Sequence, residues 1–142
     1  MKLILFFLVF LGFCFSAFAK ENNFFDEAKN LYKEEKFEES KFLFQRNIVY
    51  NPKHAKSYLY LAKIYKKEED KSEEEKNINT TLLLDPRSEE ALYLLIEIEI
   101  DRSNFSKAEE LNNDFKKICT SLCDKISSID TRLKEFENKD AS

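Results

Sequence analysis

The sequence predicts an all-α protein: a stack of about three helix-turn-helix units closed by a C-terminal capping helix. Three observations predict it. Pro52 and Pro86 stand 34 residues apart and are the only prolines; self-similarity at a fixed period marks a repeat architecture. The stretches leading to them, Asn47-Ile48-Val49-Tyr50-Asn51-Pro52 and Thr81-Leu82-Leu83-Leu84-Asp85-Pro86, share one layout. Apolar residues recur at helical spacing in every unit. The one glycine, Gly12, falls near the N-terminus, so the rest of the chain lacks the residue that strand reversals usually need, while good helix formers such as Lys, Glu and Leu abound.

The chain opens with Lys2, an apolar or weakly polar run from Leu3 to Ala19, and the closing triplet Ala17-Phe18-Ala19. A charged start, an apolar stretch and small residues in an A-x-A pattern read as a secretory signal peptide over residues 1–19, with cleavage after Ala19. The alternative is an uncleaved membrane anchor, for which this run is at the short limit of about 17–25 residues. Lipid attachment at Cys14 needs a small residue before the cysteine, and Phe13 stands there.

The helical domain is expected over residues 20–138, with units at about 21–54, 55–88 and 89–122, a cap helix over 123–138 and a frayed tail over 139–142. Aligning on the prolines sets Phe24 over Tyr58, Ala28 over Ala62, Leu31 over Tyr65 and Ile48 over Leu82; one more step brings in Leu92, Leu95, Ile96, Phe105 and Ala108. In the first unit Phe24, Ala28, Leu31 and Tyr32 fit one helix, and Phe37, Phe44, Ile48 and Tyr50 a second. Tyr58, Leu61, Ala62 and Tyr65 begin the next unit. Ser72 with Glu75 reads as the capping box of its second helix. Ser88 opens the third pair, and Asn104-Phe105-Ser106-Lys107-Ala108 begins its partner. Ile96-Glu97-Ile98-Glu99-Ile100 alternates like a strand but reads as helix, because its repeat-mates are helical and no turn residues bracket it. Ile126, Ile129, Leu133 and Phe136 share one side of the last helix, as a cap over the open end of a solenoid requires.

The pattern resembles the tetratricopeptide repeat (TPR) family on Leu61-Ala62 with Tyr65, Ala108 after Phe105, and Asp85-Pro86 closing a unit. The likeness covers roughly residues 22–120. The family's first-helix glycine is replaced by Ala28, Ala62 and Ile96, and its small second-helix alanine by Ser40, Glu74 and then Ala108. The resemblance implies a right-handed α-solenoid whose first helices line a concave, peptide-holding groove. By position, the groove would be lined by Phe25, Lys29, Tyr32 and Lys33, then Leu59, Lys63, Lys66 and Lys67, then Tyr93, Glu97, Ile100 and Asp101. Five lysines among apolar spacers would suit an acidic partner segment or its C-terminal carboxylate. The asparagines of the family's carboxylate-clamp subgroup are lysines here.

Composition removes most catalytic alternatives. The net charge of −4 argues against nucleic-acid binding. Phosphate-cradling loops need several glycines. His54 is the only histidine, too few for a His-rich zinc site or a His-based triad, and it reads as an exposed surface residue. The acidic runs Glu34-Glu35, Glu38-Glu39 and Glu73-Glu74-Glu75 read as solvated helix faces. In an exported chain Cys119 and Cys123 suggest a disulfide fixing the junction between Ile118 and the cap helix, strained within a regular helix and relieved at a helix end; free thiols or redox chemistry are the other readings. No cofactor and no metal are expected. The predicted protein is therefore a non-catalytic adaptor of the bacterial periplasm holding a protein or peptide partner. The alternatives are the same domain tethered to the inner membrane by its N-terminal segment, and a thiol redox protein.

Overall fold

The computed structural model describes residues 23–140, so the predicted signal peptide lies outside the described residues. Among those residues are seven helices and no strand: α1 (Phe24–Lys33), α2 (Phe37–Tyr50), α3 (Ala55–Lys67), α4 (Lys71–Leu84), α5 (Glu89–Asp101), α6 (Phe105–Ile118) and α7 (Lys125–Asp140). The second helices start at Phe37, Lys71 and Phe105, each one 34-residue period after the last. The helices form three pairs, α1 with α2, α3 with α4 and α5 with α6, and α7 covers the end. None of the described helices is long and apolar enough to cross a membrane.

The turn inside each pair is built the same way three times, without glycine. Glu35, Glu69 and Ser103 adopt the left-handed region at φ of 59°, 60° and 60°. The following residue reaches back to close a Schellman turn: Lys36 N–H donates to the Leu31 carbonyl at 3.0 Å, Asp70 to Tyr65 at 3.0 Å and Asn104 to Glu99 at 2.8 Å. Those same residues are the N-caps of the second helices. The predicted capping box at Ser72 is therefore corrected. Asp70 caps α4, its carboxylate accepting the Glu73 N–H at 3.1 Å, and Ser72 lies inside the helix. Asp is as good an N-cap as Ser, and the Schellman turn places Asp70 at that position. Ser88 caps α5 as expected, accepting the Ala91 N–H at 3.4 Å.

At the first two junctions between pairs the helix ends at Asn51 and at Asp85, because the residue before a proline is driven out of the α region. No proline stands at the third junction. There α6 stops at Ile118, and the Cys119 and Cys123 sulfurs lie at disulfide distance, 2.14 Å, in the non-helical stretch before α7.

Helix α3 is buried on two sides. Leu61 and Ile64 join Ala28 and Phe44 in a small aromatic-rich cluster, while Leu59 and Ala62 join the larger aliphatic cluster with Ile78, Leu92, Leu95, Ile96, Ala108 and Phe115. Close contact within the first pair is marked by Ser40, whose hydroxyl donates to the Ala28 carbonyl at 2.8 Å. The strand-like Ile96–Ile100 stretch is helical, with Ile96 and Ile100 buried. The cap helix buries Ile129 and Leu133, packs Ile126 and Phe136 against the same cluster, and stacks Phe136 on Phe105. Fully burying each such aliphatic side chain is worth about 1.5–3 kcal/mol. The helix starts two residues later than predicted and continues to Asp140, through part of the stretch expected to fray.

Candidate functional site

The first helices α1, α3 and α5 lie side by side, and their facing side chains form a chain of contacts. The Lys63 ammonium sits 5.5 Å from the Tyr32 ring centre and 4.8 Å from that of Tyr60, and it pairs with Glu90 at 2.7 Å. Phe25 packs edge-on against Tyr60, and Tyr60 stacks on Phe44. Burial, with Glu90 and Tyr60 close by, pushes the Tyr32 hydroxyl above its usual pKa despite the opposing Lys63 charge.

Next to this cluster an open pocket of about 750 Å³ lies between α3, α5 and the disulfide loop. Its apolar wall is Leu59, Tyr93, Leu94 and Leu122, with Lys56 and Glu90 among the charged groups lining it. The disulfide loop is held there by Glu89, the first residue of α5. Its carboxylate accepts the N–H groups of Thr120 (2.9 Å), Ser121 (3.0 Å) and Leu122 (3.0 Å), and the Thr120 and Ser121 hydroxyls as well. The Thr120 hydroxyl and the backbone donors hold the Glu89 pKa down to about 2.

At the other end of α5 the cap helix enters the site. Arg132 makes a two-pronged contact with Glu97 at 2.7 and 2.9 Å and lies 3.7 Å from Asp101. A second pocket, about 450 Å³, lies where α3 ends, α4 begins and α5 ends, with Lys66, Glu74, Glu97 and Asp101 in its walls.

Of the positions assigned to the groove, the structure brings Tyr32, Lys63, Leu59 and Tyr93 together along α1, α3 and α5, and gathers Lys66, Glu97 and Asp101 at the second pocket. Phe25 belongs to the aromatic cluster. Ile100, 4 % exposed, is a core residue and offers no groove surface, because it points into the large aliphatic cluster. Lys67 turns toward α2, its ammonium 4.9 Å from the Phe37 ring centre. Lys29 and Lys33 make no ion pair among the described residues. Lys63 differs from the expectation of a free lysine, since Glu90 and two aromatic rings already hold it.

His54 is half-buried rather than exposed, its ring edge-on to Phe25 at 4.5 Å. Burial and the Lys56 charge lower its pKa. Its Nδ1 lies 3.0 Å from the Ser57 hydroxyl, but Ser57 is fully buried, so no substrate can reach that pair. No group of three or more His, Cys, Asp or Glu among the described residues could hold a metal ion.

Sequence reasoning missed Lys56, Leu94 and Leu122 at the first pocket, Tyr60 beside Lys63, and Arg132 at the end of α5. Lys56 and Glu90 are one repeat period apart, so the register alone could have found them; Leu122 and Arg132 arrive from outside the repeats and carry no such signal.

The fold has counterparts among solved structures. The type III secretion translocator chaperone SycD of Yersinia enterocolitica superposes with a TM-score of 0.70 at 13% identity, over 84% of this chain and 85% of that one. SycD in complex with a peptide of the translocator YopD gives 0.69 at 13% identity, over 83% and 92%. The Sgt2 TPR domain of Aspergillus fumigatus gives 0.68 at 11% identity, over 87% and 83%. The chain has a TPR-like fold. No known family's sequence profile matches it, and no curated protein sequence does.

Proposed function

We propose that the protein is a non-catalytic adaptor that holds an extended segment of a partner protein across α1, α3 and α5. The observation that carries this reading is the open pocket of about 750 Å³ over Leu59, Tyr93, Leu94 and Leu122, an apolar wall bordered by charged groups on the face that the first helices share. Peptide-holding sites take this form: pockets for side chains, with polar groups around them that set orientation. The SycD structure with a YopD peptide supports the reading, because a protein of this fold is seen with a peptide of its partner. Lys29 and Lys33, without an ion pair among the described residues, favour an acidic stretch of the partner over α1, with its apolar side chains at Tyr93. The apolar N-terminal run and the paired cysteines support a periplasmic site for this activity, after export.

The test is affinity capture of the tagged protein from cells, with matched variants. Tyr93→Ala should release the captured partner, Lys29→Glu with Lys33→Glu should weaken its retention, and Leu83→Ala, a change at an 81 % exposed side chain away from the pocket, should leave it unchanged. Capture that survives Tyr93→Ala but fails with Leu83→Ala would sink the groove reading. N-terminal sequencing of the protein from the periplasmic fraction checks the export half, the expected first residue being Lys20.

A further inference from the structure

One residue breaks the repeat rule and is not used by the groove. At the position where the second helix meets the first, the first unit has Ser40 and the third has Ala108, both fully buried. The middle unit has Glu74, 6 % exposed. Its Oε1 receives no hydrogen bond, and the Lys66 ammonium is 4.0 Å away, beyond hydrogen-bond reach. Burying a carboxylate with an oxygen that no donor reaches is costly, so a small residue here would be the stabilising choice. Burial accordingly raises the Glu74 pKa, against the opposing charges of Lys66 and Lys71.

Glu74 opens on the pocket of about 450 Å³ between α3, α4 and α5. The charged groups facing it are Lys66 and Glu69 from the end of α3 and its turn, Lys71 from α4, and Glu97, Asp101 and Arg102 from the end of α5. Two of these are already clasped: Arg102 by Glu75 at 2.5 Å, and Glu97 by Arg132 of α7. Asp101 lies 3.7 Å from the same Arg132, so what remains is Glu74 and Glu69 beside Lys66 and Lys71, two acids and two lysines around a carboxylate oxygen that no donor reaches.

We propose that this pocket receives the cationic head of a basic side chain, arginine or lysine, from the bound partner segment, with Glu74 as its buried carboxylate. A pocket of about 450 Å³ has room for a long aliphatic stem beside Ile98, and the guanidinium or ammonium supplies the donor that Glu74 Oε1 lacks. The inference rests on the groove reading for the source of the cation: an acidic stretch over α1 and a basic residue at the end of α5 would set the direction in which the partner lies.

The experiment needs no partner, so its failure is distinct from a failure of the groove reading. The folded protein, labelled with nitrogen-15, is titrated with a blocked alanine pentapeptide carrying one central arginine, with its citrulline counterpart, and with agmatine. The arginine peptide should shift the amides around Lys66, Glu74 and Asp101 saturably and lower the Glu74 carboxyl pKa, agmatine should bind more weakly, and the citrulline peptide should do neither. Glu74→Ala, which installs the residue of the third unit, should keep the fold with an equal or higher Tm. It should weaken the peptide by about tenfold or more, as losing a charged hydrogen bond does. Binding undiminished in Glu74→Ala, or absence of shifts around the pocket with every probe, overturns the proposal. Agmatine binding as tightly as the peptide overturns the partner side chain as its source.

Discussion

The first and last helical pairs share a backbone plan and little else. The α1–α2 end is held by rings: Phe25, Phe44 and Tyr60 pack together, Tyr32 meets Phe37 and Tyr60, and Phe24 stacks on Tyr50. The α5–α7 end has fewer ring contacts, Tyr93 with Phe115 and Phe105 with Phe136, in a mainly aliphatic cluster, and is tied by longer-range polar contacts: the disulfide loop on Glu89, Asp130 to Lys116 and Asn112, and Arg132 to Glu97. Where Phe44 fills the first core and Ile78 the second, the third unit has Asn112, which donates to Asp130 of the cap at 2.6 Å. A solenoid needs its end covered, and here the last repeat gives up a core side chain to hold the cover.

The largest effects should come from the cores themselves. Phe44→Ala and Phe115→Ala, both fully buried, should each cost about 3–5 kcal/mol by chemical denaturation. Hydrogen exchange should then separate the ends: Phe44→Ala should strip protection from α1 and α2 first, and Phe115→Ala from α6 and α7. Equal loss along the whole chain in both variants would mean that the two ends form one cooperative unit.

Reducing Cys119–Cys123 should cost less. The loop it closes is short, so the chain-entropy contribution is about 2 kcal/mol. Its effect should be confined to the loop and α7, read as faster exchange there with α1–α4 unchanged. A uniform loss of stability would show that the disulfide reaches beyond its own end.

The Glu89 anchor supplies a pH signature on the same end. Its folded pKa, about 2, lies below the ordinary carboxylate value of 4.5. A carboxylate depressed on folding stabilises above its unfolded pKa, and that stabilisation is lost as pH falls from about 4.5 toward 2. A carbon-detected titration should place Glu89 near 2 while the disulfide loop loosens over that range. Titration of Glu89 at an ordinary value would remove the anchor from the description of this end.

The smallest effect should be alike at both ends. Glu35→Gly, Glu69→Gly and Ser103→Gly relieve left-handed backbone at equivalent turns and should each stabilise by about 0.5–1 kcal/mol, the αL relief partly offset by glycine's unfolded-state entropy. Loss of stability at any of the three, measured by thermal melting, would show that the side chain there does something the turn itself does not require.

Much of this was legible beforehand. The period between Pro52 and Pro86 located the helical pairs because proline acts locally, on the residue before it. The cap helix was visible in Ile126, Ile129, Leu133 and Phe136 for the same kind of reason, a periodicity within one element. The N-cap at Asp70 was missed because the Ser72–Glu75 pattern is a stronger string than an aspartate before a lysine, and only the three-fold repetition of the Schellman turn decides between them. The face shared by the first helices was half legible. Tyr32, Leu59, Lys63 and Tyr93 fall on the shared face, whereas Ile100 could not be separated from a surface position until the helices were packed.

Helix content, repeat length and the pairing of successive helices follow from contacts between residues near in sequence, and the chain states them by itself. Which charges are free was decided only in three dimensions. Lys63 meets Glu90, Arg132 meets Glu97 and Thr120 meets Glu89 across 27 to 35 residues, and no local pattern encodes such meetings. Glu74 is the sharpest case: an acidic residue in an acidic run by sequence, a buried side chain with one carboxylate oxygen that no donor reaches once α3, α4 and α5 close around it.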